Sequence, residues 1–131
     1  MSAPTSKSAT ILVVDDDRMM RLLLSTYLRQ DGHHVVCADN GADALRKLDG
    51  PIDMLFTDIF MPEKDGLELI PVLRQRLGAT PIVAVSGGSE RVPGDMLRIA
   101  AALGADAVIS KPFTAAEILG VTRKLLADRQ P

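Results

Sequence analysis

Five short apolar runs alternate with segments of helical period, and this pattern constrains the fold more than any other feature of the sequence. The runs are "TILVVD" (10–15), "HVVCA" (34–38), "DMLFT" (53–57), "PIVAVS" (81–86) and "DAVIS" (106–110). Near-continuous apolar runs, as opposed to alternating ones, mark strands buried on both faces, which is the signature of a parallel sheet covered by helices. Five βα units predict an α/β doubly wound sheet, and right-handed crossovers place every strand's carboxyl end on one edge. Ligands of such sheets bind at that edge, where the strand order reverses.

The intervening segments fix the helices. The first is expected from about Arg18 to Arg29, with Asp17 as N-cap, Met20, Leu23, Leu24, Tyr27 and Leu28 on one stripe, and Gly32 ending it. The second spans about Ala42 to Leu48, entered through Asn40-Gly41 and left through Gly50-Pro51. The third covers about Gly66 to Leu77 with Leu67, Ile70, Leu73 and Leu77 inward; Pro71 inside it predicts a kink or a late start. A fourth is expected between Pro93 and Gly104, and "TAAE" at 114–117 is a capping box that opens the fifth.

Composition narrows the function. At 131 residues the chain has the size of one domain, read as a flexible tail over 1–9 and a single body over 10–128. A net charge of −2 gives no basic surplus for nucleic acid. Cys37 is the single cysteine, so no intrachain disulfide is possible, and it reads as a small filler in a strand. No apolar run approaches the length of a membrane span and no secretory leader is visible, so a cytoplasmic location is expected. His33 and His34 read as a turn before the second strand.

The strand ends carry the chemistry. The first strand runs into Asp15-Asp16-Asp17, the third into Asp58, the fourth into Ser86 and the fifth into Lys111. In the commonest five-stranded order, 2-1-3-4-5, these groups converge. Carboxylates brought together repel by about 4 kcal/mol per pair at 4 Å and an effective dielectric near 20, so they hold a proton or recruit a cation. All-oxygen donors favour Mg²⁺, with Mn²⁺ as the alternative, over zinc. With a lysine and a hydroxyl added, the edge has the parts for a phosphoryl group and a carboxylate nucleophile.

The segments "LVVDDD", "TDIFMPEKDGLEL", "VSGG" and "SKPF" together resemble the receiver domain of bacterial two-component response regulators, over about Thr10 to Leu126. The resemblance implies a flavodoxin-like (βα)5 fold with sheet order 2-1-3-4-5. It also implies that Asp58 takes a phosphoryl group from a phosphohistidine on a sensor histidine kinase or histidine phosphotransfer protein. Asp16, Asp58 and the Phe60 backbone carbonyl would ligate Mg²⁺, Asp15 would act through metal-bound water, Lys111 would pair with a phosphoryl oxygen and Ser86 would bond another. A cis bond before Pro112 would aim the lysine.

The resemblance further implies a partner surface on the fourth helix, fifth strand and fifth helix, in a monomer or a phosphorylation-dependent dimer; the charge balance and the lack of a long apolar run predict no contact to nucleic acid or membrane. With no output domain after "LLADRQP", the chain reads as a stand-alone receiver or an excised domain.

Three positions depart from the family pattern. Ser86 stands where Thr is frequent, Val108 stands where an aromatic residue is usual, and Arg18 stands where Pro often opens the first helix. The alternative reading is a degenerate receiver that binds partners without phosphorylation. An aspartyl phosphatase is disfavoured because Phe60 occupies the position of its general acid, and a flavin carrier because the acidic loop repels a flavin phosphate. Bulky Phe60 is expected to hinder water and lengthen the phosphorylated lifetime.

Overall fold

The computed structural model describes residues 8–59, 66–86, 98 and 101–128, with only the backbone described at 66–68. Five parallel strands form one sheet: β1 (Thr10–Val14), β2 (His34–Ala38), β3 (Met54–Asp58), β4 (Ile82–Ser86) and β5 (Ala107–Ser110). Their order is β2-β1-β3-β4-β5, as expected, and the fold is the flavodoxin-like doubly wound sheet. Helices α1 (Arg18–Gln30), α2 (Gly41–Arg46), α3 (Gly66–Leu77) and a C-terminal helix (Ala115–Asp128) are described.

Burial follows the order. The β3 and β4 residues are all buried, as are four of the five in β1, whereas β2 and β5 at the sheet edges are mostly half-buried. Successive strand residues point to opposite faces. Ile11, Val13 and Phe56 therefore pack with Leu24 and Leu28 of α1 and Ile118 of the C-terminal helix. Leu12, Val14 and Leu55 pack on the other face with Ala44 of α2 and Leu69 and Leu73 of α3. Two dry layers thus lock the register that sets the strand ends at one level.

Local signals behave as their chemistry requires. The Asp17 carboxylate accepts the Met19 amide and caps α1, and Gly32 ends it with φ of 92°. The Asn40 side chain accepts the Asp43 amide at 2.8 Å. Thr114 Oγ1 accepts the Glu117 amide at 3.1 Å, and Glu117 Oε1 accepts the Thr114 amide at 2.8 Å, completing the expected box. Helix α2 stops at Arg46, earlier than expected, and Lys47–Asp49 tighten into a 3-10 turn. Helix α3 begins at Gly66, so Pro71 lies inside it and a late start is excluded.

Of the expected fourth helix, residues 93–97, 99 and 100 lie outside the described residues; Ala101–Leu103 are helical and Gly104 follows with φ of 124°. Arg74 of α3 fastens that end, donating to the Gly104 carbonyl at 2.6 Å and to the Asp106 carboxylate.

Two expectations change at the opposite pole. Ser8 and Ala9, read as tail, belong to the folded body: the Ser8 hydroxyl donates to the Gly32 carbonyl, and Ala9 is buried. His33 is buried and not merely a turn residue, because its Nδ1 accepts the Ala9 amide at 3.1 Å and its Nε2 lies 3.7 Å from Asp31 Oδ2. Cys37, half-buried in β2, lies 3.2 Å from the Ser25 hydroxyl, within hydrogen-bond distance.

Burial holds the His33 imidazole below the ordinary histidine range, with the Arg123 charge adding to that and the Asp31 carboxylate opposing it. The unfolded chain therefore binds a proton that the folded chain resists. His33 contributes stability that is full above the unfolded histidine range and lost as the pH falls through that range. In urea unfolding between about pH 7.5 and about pH 5.5, wild type is expected to lose more stability than His33→Asn, which keeps an acceptor for Ala9 and does not titrate. Parallel profiles for the two proteins would remove this role from His33.

Candidate functional site

The carboxyl edge of the sheet brings the acids together. Asp15 follows β1 directly, and its amide donates to the Ala38 carbonyl, which prolongs the β1–β2 ladder by one residue. Asp58 is the last residue of β3, in register with Val85, and is 5% exposed. Each of Asp15, Asp16 and Asp58 offers a carboxylate oxygen, and the three oxygens lie within 4.8 Å of one another. Asp15 and Asp58 are buried, whereas Asp16 is exposed.

Lys111 reaches the same place from the far side of the sheet. Its amide donates to the Ser86 carbonyl at 2.8 Å, which positions it one residue beyond β5, and the Lys111-Pro112 peptide is cis, as the resemblance implied. Its Nζ lies 3.3 Å from Asp15 Oδ2 and 3.6 Å from Asp58 Oδ2, bridging the two buried carboxylates. Burial pushes the Asp15 carboxyl above the ordinary carboxylate range; the Asp17 amide and the Lys111 ammonium draw it down again, and the Asp16 charge adds to the rise. Among the described residues, one ammonium beside three carboxylates leaves an excess of negative charge.

Ser86 ends β4 beside Val85, the register partner of Asp58. Its hydroxyl is buried and has no hydrogen-bond partner among the described residues. Buried hydroxyls are nearly always partnered, so an orphan at a charged sheet edge marks a place for an acceptor that arrives from outside. Hard oxygen donors without nitrogen or sulfur, together with the excess of negative charge among the described residues, fit Mg²⁺ or Mn²⁺. The Phe60 carbonyl, expected as a further ligand, lies outside the described residues.

Residues 11–123 match the family described as the response regulator receiver domain. The chain belongs to that family. The receiver is 39% identical over 118 residues to the transcriptional regulatory protein CpxR of Escherichia coli K12, covering 88% of this chain and 48% of that one. It is 34% identical over 125 residues to the DNA-binding transcriptional regulator NtrC of Azospirillum brasilense, covering 95% of this chain and 25% of the relative. It thus spans about half the length, or less, of these relatives.

Among solved structures, the receiver superimposes on the chemotaxis protein CheY4 of Vibrio cholerae with a TM-score of 0.81 at 28% identity, covering 91% of this chain and 99% of that one. NtrX of Brucella abortus gives 0.87 at 30% identity, covering 93% and 28%. Receivers are signalling proteins of two-component systems, and the family interacts with histidine kinases and binds Mg²⁺ at an acidic pocket; here Asp15, Asp16 and Asp58 form an acidic cluster whose oxygens are close enough together to hold a metal ion.

Sequence reasoning missed Arg21, whose Nη1 donates to the Asp15 carbonyl at 2.7 Å. A signal was present: the first turn of α1 carries Arg18 and Arg21 and no acid, against the preference of a helix N-terminus for negative charge.

The charge excess makes a measurable statement. With divalent ions removed, Asp16→Asn is expected to raise stability in urea unfolding by about 1 kcal/mol or less, the scale of an exposed charge pair. The same substitution should shrink the rise in melting temperature that Mg²⁺ gives wild type. A destabilised metal-free variant would mean that the three acids do not repel.

Proposed function

We propose that this receiver accepts a phosphoryl group on Asp58 from a phosphohistidine donor, and that the resulting rearrangement changes which proteins it binds. The observation that carries the reading is the placement of a buried carboxylate, a bridging lysine and an orphaned buried hydroxyl at one sheet edge. A carboxylate oxygen of Asp58 attacks phosphorus, the phosphorus–nitrogen bond to the donor histidine breaks, and the imidazole nitrogen retains the electron pair. The product is an aspartyl phosphate.

Each neighbour has a task in that transfer. Lys111, already within 3.6 Å of Asp58, pairs with an incoming phosphoryl oxygen and offsets its charge. Ser86 donates its hydroxyl, which has no partner among the described residues, to another phosphoryl oxygen. Asp15 and Asp16, with Asp58 and the Phe60 carbonyl, would hold Mg²⁺, which supplies charge neutralisation for the transferring group. Asp15 also holds Lys111 in reach before the donor arrives.

The partners that fit are a sensor histidine kinase or a histidine phosphotransfer protein upstream and a protein target downstream, in the cytoplasm. The target surface proposed is the fourth helix, β5 and the C-terminal helix, in a monomer or a phosphorylation-dependent dimer. Slow hydrolysis of the protein's own aspartyl phosphate is the only turnover expected.

Incubation with acetyl phosphate and Mg²⁺ is expected to label wild type and leave Asp58→Asn unlabelled. Lys111→Met should slow labelling by about a hundredfold, the scale for losing one preorganised charge partner. An unlabelled wild type would favour the phosphorylation-independent binding module. Decay of the label measures the contribution of residue 60: Phe60→Ala should shorten the phosphorylated lifetime, and an unchanged decay rate would remove Phe60 from that role.

A further inference from the structure

We infer that Arg21 is a positioning residue for the acid pocket: it fixes the peptide between Asp15 and Asp16 and so sets how tightly the pocket takes a divalent cation. The inference rests on the proposed phosphoacceptor reading, in which Asp15, Asp16 and Asp58 form the cation site. Three of the four attachments of Asp15 are supplied by other groups. Its amide donates to Ala38, its Oδ1 accepts the Asp17 amide at 2.9 Å, and its Oδ2 faces Lys111 at 3.3 Å. Its carbonyl is the fourth, and Arg21 Nη1 holds it at 2.7 Å.

That carbonyl belongs to the peptide plane from which Asp16 departs. Asp15 is buried and its carboxylate is held on both oxygens, but Asp16 is exposed and its aim depends on the backbone that carries it. Rotation of the 15–16 peptide would swing the Asp16 carboxylate out of the cluster while leaving Asp15 largely in place. A partly buried guanidinium in the first turn of α1, unfavourable against the helix dipole, is therefore placed where it steers one ligand of the three.

Charge and positioning make opposite forecasts for the loss of Arg21. Removing a cation near a cation site should tighten divalent binding by simple repulsion. Removing a hydrogen bond that orients a ligand should weaken it, by about tenfold at the lower end of the range for such supporting groups. Titration of Mn²⁺ followed by electron paramagnetic resonance reads the difference without any phosphoryl transfer.

Arg21→Met is expected to bind Mn²⁺ about tenfold more weakly than wild type, and Arg21→Lys, which can still donate to the Asp15 carbonyl, to recover most of the loss. Arg123→Met serves as a stability control. It removes the bidentate ion pair with Asp31 between α1 and the C-terminal helix, and should leave Mn²⁺ affinity unchanged. Equal or tighter binding by Arg21→Met overturns the inference while the phosphoacceptor reading stands. Wild type that binds no Mn²⁺ overturns both. Should Arg21→Met fail to fold, the Arg21→Leu variant, which also lacks a donor, carries the same comparison.

Discussion

Repulsion between buried carboxylates is the constraint on which the functional edge of this protein depends. Asp15 and Asp58 are carried into the same small volume by adjacent strands, and neither can retreat because both backbones are bound into the sheet. At a separation near 4 Å such a pair costs about 4 kcal/mol at an effective dielectric near 20, more than a typical side-chain hydrogen bond returns. Lys111 offsets part of this by lying between them. The remainder must be met by the two packed layers on either face of the sheet, whose dry side chains hold the strands in register whatever the edge carries.

An edge arranged in this way is prepared for visitors of both signs. The excess negative charge favours a small hard cation. Under the proposed reading a cation would offset that excess, and Lys111 and the Ser86 hydroxyl, which has no partner among the described residues, would then face the phosphoryl group. Sites whose own groups are incompletely satisfied tend to be those where function has been retained at some expense of stability.

Much of this was legible in the sequence, and the parts that were not share a physical cause. Apolar runs and their terminal acids, hydroxyl and lysine sit in contiguous segments, so the strands and their end groups are local features; the 2-1-3-4-5 order that brings Asp15, Asp58, Ser86 and Lys111 together came from the commonest arrangement and the family resemblance. The Thr114–Glu117 box and the Asp17 cap are equally local. His33 with Ala9, and Arg74 with Gly104 and Asp106, are contacts over 24 and 30 or more residues, and nothing in either partner's neighbourhood announces them. Arg21 is nearer in sequence to Asp15, yet it binds a carbonyl, a group every residue has, so its role could be suspected only from its awkward charge. Val108 was read as a missing aromatic; it packs against the buried cluster of Ile59, Ile70 and Ala84, as Leu103 and Ala105 also do.

Asp58, the carboxylate at the end of β3, is proposed as the single phosphoacceptor. The most direct measurement is to phosphorylate the protein with a phosphohistidine donor, trap the acyl phosphate by borohydride reduction and map the reduced residue by mass spectrometry. The account requires reduction at Asp58 and at no other acid, dependent on a divalent cation. Reduction at Asp15 or Asp16, or stable phosphate on a serine or histidine of this chain in place of an acyl phosphate, would contradict it.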